Sequence, residues 1–126
     1  MTLPDLNPLI HAPVRLQICA ILFATDEAEF ALVREETEVS ESVLSKQVKL
    51  LADAGYVNVR KARFAEAGLV FDARRLGAAK EHKAVVSSRQ RTWLSLTEAG
   101  RKAFASHMRA LTGLVDRAAS GIAAAE

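Results

Sequence analysis

A single cysteine, Cys19, occurs in the chain, so no disulfide can form within it, and that usage fits a reducing compartment. Long apolar runs are missing too: none approaches the roughly 20 residues of a membrane span. The opening Met1-Thr2-Leu3-Pro4-Asp5 has neither the basic start nor the apolar stretch of a secretion signal. These absences point to a cytoplasmic protein with no membrane partner. There is no glycine-rich phosphate loop. The three histidines, His11, His82 and His107, are scattered and Cys19 stands alone in an apolar stretch, so no cluster has metal-ligand spacing. Neither a Ser/His/Asp set nor a pair of carboxylates suggests hydrolysis. The expectation is a protein that is not an enzyme, with no metal and no cofactor. Cys19 itself reads as packed core rather than as a redox sensor.

The 126 residues amount to one domain, 1–126, and half of them are hydrophobic against a quarter charged, a balance typical of a globular fold. The net charge of +2 conceals a division. Residues 1–55 carry 4 Lys/Arg against 9 Asp/Glu, a net of −5, whereas residues 56–96 carry 9 against 3, a net of +6. A basic segment of that kind suits a polyanion, or else a solvated loop.

Pro13 suits the first turn of a helix, and from there to about residue 25 the chain is apolar nearly all round, with only Arg15 and Gln17 polar before Ala24. Such a helix needs cover on more than one side, and a second subunit is one source of it. A very short strand is expected at Glu29-Phe30-Ala31 and a short helix to about Glu36. Ser40 is a good N-cap for a helix over 41–54, which Gly55 stops. At 100° per residue, Leu44, Val48 and Leu51 share one face of that helix; Ser42, Lys46 and Lys49 lie opposite, with Ser45 at the flank. Residues 56–61 and 92–96 alternate as strands do. Thr97 caps a final helix over about 98–119, with Glu98 in its first turn. Along it Phe104, Met108, Leu111, Val115, Ala118 and Ile122 recur in steps of four and three, a seam suited to a second helix.

Two helices joined by a tight turn and followed by a β-hairpin make a winged helix-turn-helix. The fold class is therefore mainly α with a small β-hairpin (α+β), with a long C-terminal dimerisation helix. Three stretches carry a resemblance: residues 5–20, DLNPLIHAPVRLQICA; residues 30–61, FALVREETEVSESVLSKQVKLLADAGYVNVRK; and residues 89–104, RQRTWLSLTEAGRKAF. They resemble the small winged-helix transcriptional regulators related to the MarR and ArsR families. The resemblance implies a homodimer that sets the 41–54 helix of each subunit in a major groove of double-stranded DNA. The residues agree: Ser42 and Ser45 are short enough for close approach, and Lys46 and Lys49 can reach phosphates or guanine.

Residues 62–91 depart from that pattern, since a typical wing turns in a handful of residues. This segment is expected to form an extended wing, with Arg74, Arg75, Lys80, Lys83, Arg89 and Arg91 tracking phosphates or entering a minor groove; Leu69-Val70-Phe71 and Val85-Val86 fit a prolonged hairpin, and Asp72 to Lys83 fits a short helix instead. The dimer is expected to use Val14, Ile18 and Ile21 of the first helix with Phe104, Met108, Leu111 and Val115 of the last. The function so read is a sequence-specific DNA-binding regulator, a repressor on a palindromic operator. A small-molecule effector is left open. The acidic first half keeps a rival in view, a winged helix that serves as a protein–protein interaction module.

Overall fold

The computed structural model describes residues 6–63 and 90–125. A short helix that the sequence pattern did not suggest comes first, α1 (Pro8–His11). Pro8 opens it, and the Asn7 carboxamide oxygen accepts from the amides of Leu9 and Ile10 at 3.0 and 3.2 Å. Capping two of the donors that a helix start leaves unpaired is what allows one turn to persist.

α2 (Pro13–Phe23) is the hub. It packs against α1 and against all the longer helices, and also against the central strand of the sheet. Ile18, Cys19 and Leu22 are fully enclosed. The extra cover that this all-apolar helix called for is thus supplied largely by its own chain. Its C-terminal carbonyls, the electronegative end of the helix, are gripped by Arg101. That guanidinium donates to the oxygens of Leu22, Phe23 and Thr25 at 3.4, 3.2 and 2.7 Å. It also lies 5.6 Å above the Phe23 ring.

β1 (Ala28–Glu29) follows, one residue ahead of the expected strand, and Phe30 already belongs to α3 (Phe30–Thr37). The turn after α3 passes through Glu38 in the left-handed region, φ 56°. α4 (Glu41–Asp53) then begins under a cap in which the Val43 amide donates to the Ser40 hydroxyl at 3.2 Å. Gly55, at φ 82°, reverses the chain where a side chain would be strained.

β2 (Val57–Arg63) and β3 (Gln90–Leu96) pair antiparallel, from Val57 opposite Leu96 to Arg63 opposite Gln90. β1 pairs with the other edge of β3, Ala28 opposite Leu94, so the strand order is β1-β3-β2. What the alternation suggested as a hairpin is a three-stranded sheet, and each long strand runs two residues further than expected. The last helix, α5 (Glu98–Ala125), also exceeds its expected end near residue 119. The core lies where α2, α3 and α4 meet the sheet: Ile18, Leu22, Val33, Leu44, Leu51 and Leu94 are each inaccessible to solvent.

Candidate nucleic-acid interface

The inward face of α4 is fixed by burial. Leu44 and Leu51 are fully buried and Val48 nearly so, whereas Ser42, Ser45, Lys46 and Lys49 are all exposed. The polar face expected from the sequence therefore stands in solvent on a helix held by its apolar side. The charges on it are not equivalent. Lys49 pairs with Asp53 one turn on, Nζ to Oδ2 3.3 Å, whereas Lys46 has no ion pair among the described residues. Val43 and Leu50 are also exposed on this helix, an apolar component that the spacing argument overlooked.

Between α4 and the strands runs a groove of ≈ 400 Å³. Glu41, Ser45 and Lys49 line it from the helix, Val59 and Lys61 from β2, and Thr92 from β3. Helix and wing thus present hydroxyls and ammonium groups to one channel, with Glu41 the opposing charge.

The strand cations are partly committed elsewhere. Arg60 makes a two-pronged bond with Glu27, at 3.0 and 2.8 Å, and lies 5.7 Å from the Trp93 ring centre. That hydrogen bond holds the Glu27 carboxyl below the usual carboxylate range. Arg91, expected on phosphate, bonds Glu29 at 3.4 Å across the β1–β3 ladder. Arg74, Arg75, Lys80, Lys83 and Arg89 lie outside the described residues, as do Leu69-Val70-Phe71 and Val85-Val86.

The residues assigned to a subunit interface separate into two sets. Ile18, inaccessible, and Phe104, 5 % exposed, sit in the chain's own core, so their side chains are spent on the fold. Phe104 meets Phe23 with ring centres 5.2 Å apart. Val14, Ile21, Met108 and Leu111 are half-buried, and Val115 is 62 % exposed. Beyond Leu114 every described residue of α5 is exposed, including Ile122 at 63 %.

Two junctions orient α4, and the sequence pattern revealed neither. At its C-terminal end, the Thr97 amide donates to the Tyr56 carbonyl at 2.9 Å and the Thr97 hydroxyl to the Gly55 carbonyl at 2.6 Å. The same hydroxyl accepts from the Gly100 amide at 2.9 Å and so caps α5. Midway along α4, Gln47 accepts from Arg15 of α2 at 2.6 Å, and the Arg15 Nε donates to the Leu9 carbonyl of α1. Cys19 is enclosed and burial pushes its thiol up to about 11, against a smaller opposing pull from Arg15.

His107 is completely buried. Its Nδ1 accepts from the Asn7 amide at 2.9 Å and its Nε2 lies 3.1 Å from His11 Nδ1. Burial first, and the neighbouring His11 second, hold its pKa below the ordinary histidine value. Its position three residues after Phe104 on the apolar side of α5 was the available signal. Among the described residues, no group of three or more His, Cys, Asp or Glu side chains is placed to hold a metal ion. No described helix is long and apolar enough to cross a membrane.

Residues 14–67 match the sequence model of the winged helix DNA-binding domain. No curated protein matches the sequence. A solved structure of a transcriptional regulator homologue from Pyrococcus horikoshii OT3 is similar, with a TM-score of 0.64 over 86% of this chain and 85% of that one. At 18% identity the likeness is one of fold. Helix pair, three-stranded sheet and solved structure agree on the fold: this chain is a winged helix-turn-helix, and its residues 14–67 are similar to the winged helix DNA-binding domain.

Proposed function

We propose that the protein is a homodimeric transcriptional regulator, a repressor, that reads a palindromic operator through α4 while the basic wing contacts the flanking backbone. The carrying observation is the division of α4 into a sealed face and a wet one. Leu44, Val48 and Leu51 are buried, and Ser42, Ser45, Lys46 and Lys49 stand exposed, Ser45 and Lys49 of them lining the groove to the wing. A helix held this way presents short donors and flexible cations to base edges and phosphates. The match over residues 14–67 to a winged helix DNA-binding domain supports this use of the fold.

Two subunits are supported by the outer part of α5, where Val115 and Ile122 are left open to solvent. In a two-fold dimer the α4 helices would meet half-sites about 34 Å apart or a multiple of that. The test is selection of bound duplexes from a random pool, followed by affinity measurements across a salt series. Recovery of an inverted repeat, with affinity that falls as salt rises, is the expected result. Recovery of a single half-site would sink the palindrome, and no retention of duplex would sink DNA reading altogether.

One observation favours the second reading, an interaction module for another protein. Val43 and Leu50 are exposed on α4 itself, at 39 % and 44 %. Salt-insensitive binding without duplex affinity would select it.

A further inference from the structure

We infer that the His11–His107 pair is a proton-sensitive latch, whose neutral form holds α1 on α5 and whose protonation releases α1 and, through Arg15, loosens the seating of α4. The consequence for DNA rests on the reading of α4 given above; the latch does not.

The hydrogen-bond chain permits one arrangement of protons. The Asn7 amide can only donate, and it points at His107 Nδ1 from 2.9 Å, so that nitrogen carries a lone pair. Neutral His107 then has its proton on Nε2. That Nε2 is 3.1 Å from His11 Nδ1, which must accept. The order is amide to imidazole to imidazole, with no vacant acceptor between. A proton added to His107 sets N–H against the Asn7 N–H. A proton added to His11 Nδ1 sets N–H against the His107 N–H. Reversing the central bond moves the His107 proton to Nδ1, where it meets the Asn7 amide again. Each protonated form therefore breaks a hydrogen bond at a fully buried ring.

His11 is exposed, so water can take up charge there, but the enclosed His107 ring depends on protein groups alone. On α1 the neighbour is His11 itself. On the turn after α4 it is the Tyr56 hydroxyl, which accepts from the Asn7 side chain at 3.1 Å. The cations of the adjoining helices are engaged elsewhere: Arg15 of α2 on the Leu9 carbonyl and Gln47, and Arg101 of α5 on the carbonyls at the end of α2. Among the described residues no carboxylate bonds either ring. The depressed pKa of His107, caused by burial and by His11, agrees with the geometry.

The latch reaches α4 by a short route. α1 carries the Leu9 carbonyl that holds Arg15 Nε, and Arg15 Nη1 holds Gln47 in the middle of α4. Freeing α1 from α5 removes one of the two supports of that guanidinium. Acidification ordinarily raises positive charge and tightens polyanion binding, so a loss of affinity at low pH has the opposite sign to a simple charge effect.

The test uses the full chain, labelled with nitrogen-15, at constant ionic strength. Exchange of the Asn7 amide, corrected for its intrinsic pH dependence, is expected to quicken at least tenfold between pH 7.5 and 5.5, and the Gln47 side-chain amide signals should move over the same interval. Affinity for a duplex selected at pH 7.5 should fall about tenfold. The non-titrating double variant His11→Asn/His107→Gln should lack that response; the wild-type signals decide the matter even if this variant does not fold. Unchanged Asn7 exchange overturns the latch. Lost protection with static Gln47 signals overturns its coupling to α4. If no duplex binds at any pH, DNA reading fails while Asn7 and Gln47 still report on the latch.

Discussion

Gly100 has no room for a side chain: a Cβ there would lie 2.1 Å from the Tyr56 carbonyl oxygen, which is backbone and cannot step aside. Gly100→Ala should therefore cost about 1–3 kcal/mol, the usual range for overpacking, as read from urea unfolding. Gly121 meets nothing within 4 Å, so Gly121→Ala, in mid-helix, should leave the protein as stable or slightly more so. The exposed lysines of α4 differ in the same local way. Lys49 already shares its charge with Asp53, so Lys46→Ala should weaken duplex binding more than Lys49→Ala does. A loss of about 1–3 kcal/mol with relaxed specificity at one base pair would mark Lys46 as a base reader. Equal, negligible effects with helicity intact would exclude this face. At this scale the sequence was legible where periodicity governs, as at Leu44, Val48 and Leu51. It was silent where partners lie far apart in the chain. His11 and His107 meet across 96 residues and Arg91 meets Glu29 across 62, and no local pattern encodes either pairing.

Among the elements, α4 was the most readable because its signals are local: the Ser40 cap, the apolar repeat and the Gly55 stop. Ser40→Ala should remove the bond to the Val43 amide and cost about 1 kcal/mol, visible as a lower melting temperature with the fold retained. The sheet was half readable. Alternation marks β2 and β3, whereas the short strand expected at Glu29-Phe30-Ala31 has too few residues for a period to fix its bounds; its place at Ala28–Glu29 is set by the register with Leu94 and Trp93 on the edge of β3. α1 was missed because one turn is too short to show periodicity, although Asn7-Pro8 is a cap signature. Charge counting along the chain also missed a pairing at this level, since Glu27 and Glu29 engage two of the nine cations of residues 56–96. The basic residues between β2 and β3 bear on a separate proposal. Replacing residues 64–89 by a short turn should flatten the salt dependence of duplex binding, by about 0.9 log units for each phosphate that the shortened wing fails to reach. An unaltered slope would remove this segment from the interface.

For the molecule as a whole, the proposed dimer has fewer free residues to use than the sequence suggested, on α2 and on α5 alike. α2 is covered by its own chain, and Ile18 and Phe104 belong to the core. Val115→Glu should therefore dissociate the dimer without unfolding the subunit, as light scattering would show; a variant that keeps its mass would place the subunit interface elsewhere. Stability should also vary with acidity. Because the pKa of His107 is depressed in the folded state, the unfolded chain binds a proton that the folded one refuses. Stability should thus be level at alkaline pH and decline as pH falls below about 6.5, a trend that thermal melts between pH 8 and 5 would reveal. The Arg15–Gln47 bond has a further consequence, which follows from leverage. α4 is 13 residues long, about 20 Å at 1.5 Å per residue, and Gln47 stands at its centre. A tilt of about 5° on that pivot would carry each end of the helix by roughly 0.9 Å, more than the ~0.5 Å range of distances that a direct hydrogen bond spans. Phosphate contacts through long lysines would adapt to such a swing, whereas the short Ser42 and Ser45 could not. Slackening at Arg15 should consequently lower affinity for the selected sequence while leaving the weaker hold on unrelated sequences little changed, so that the choice between them blurs.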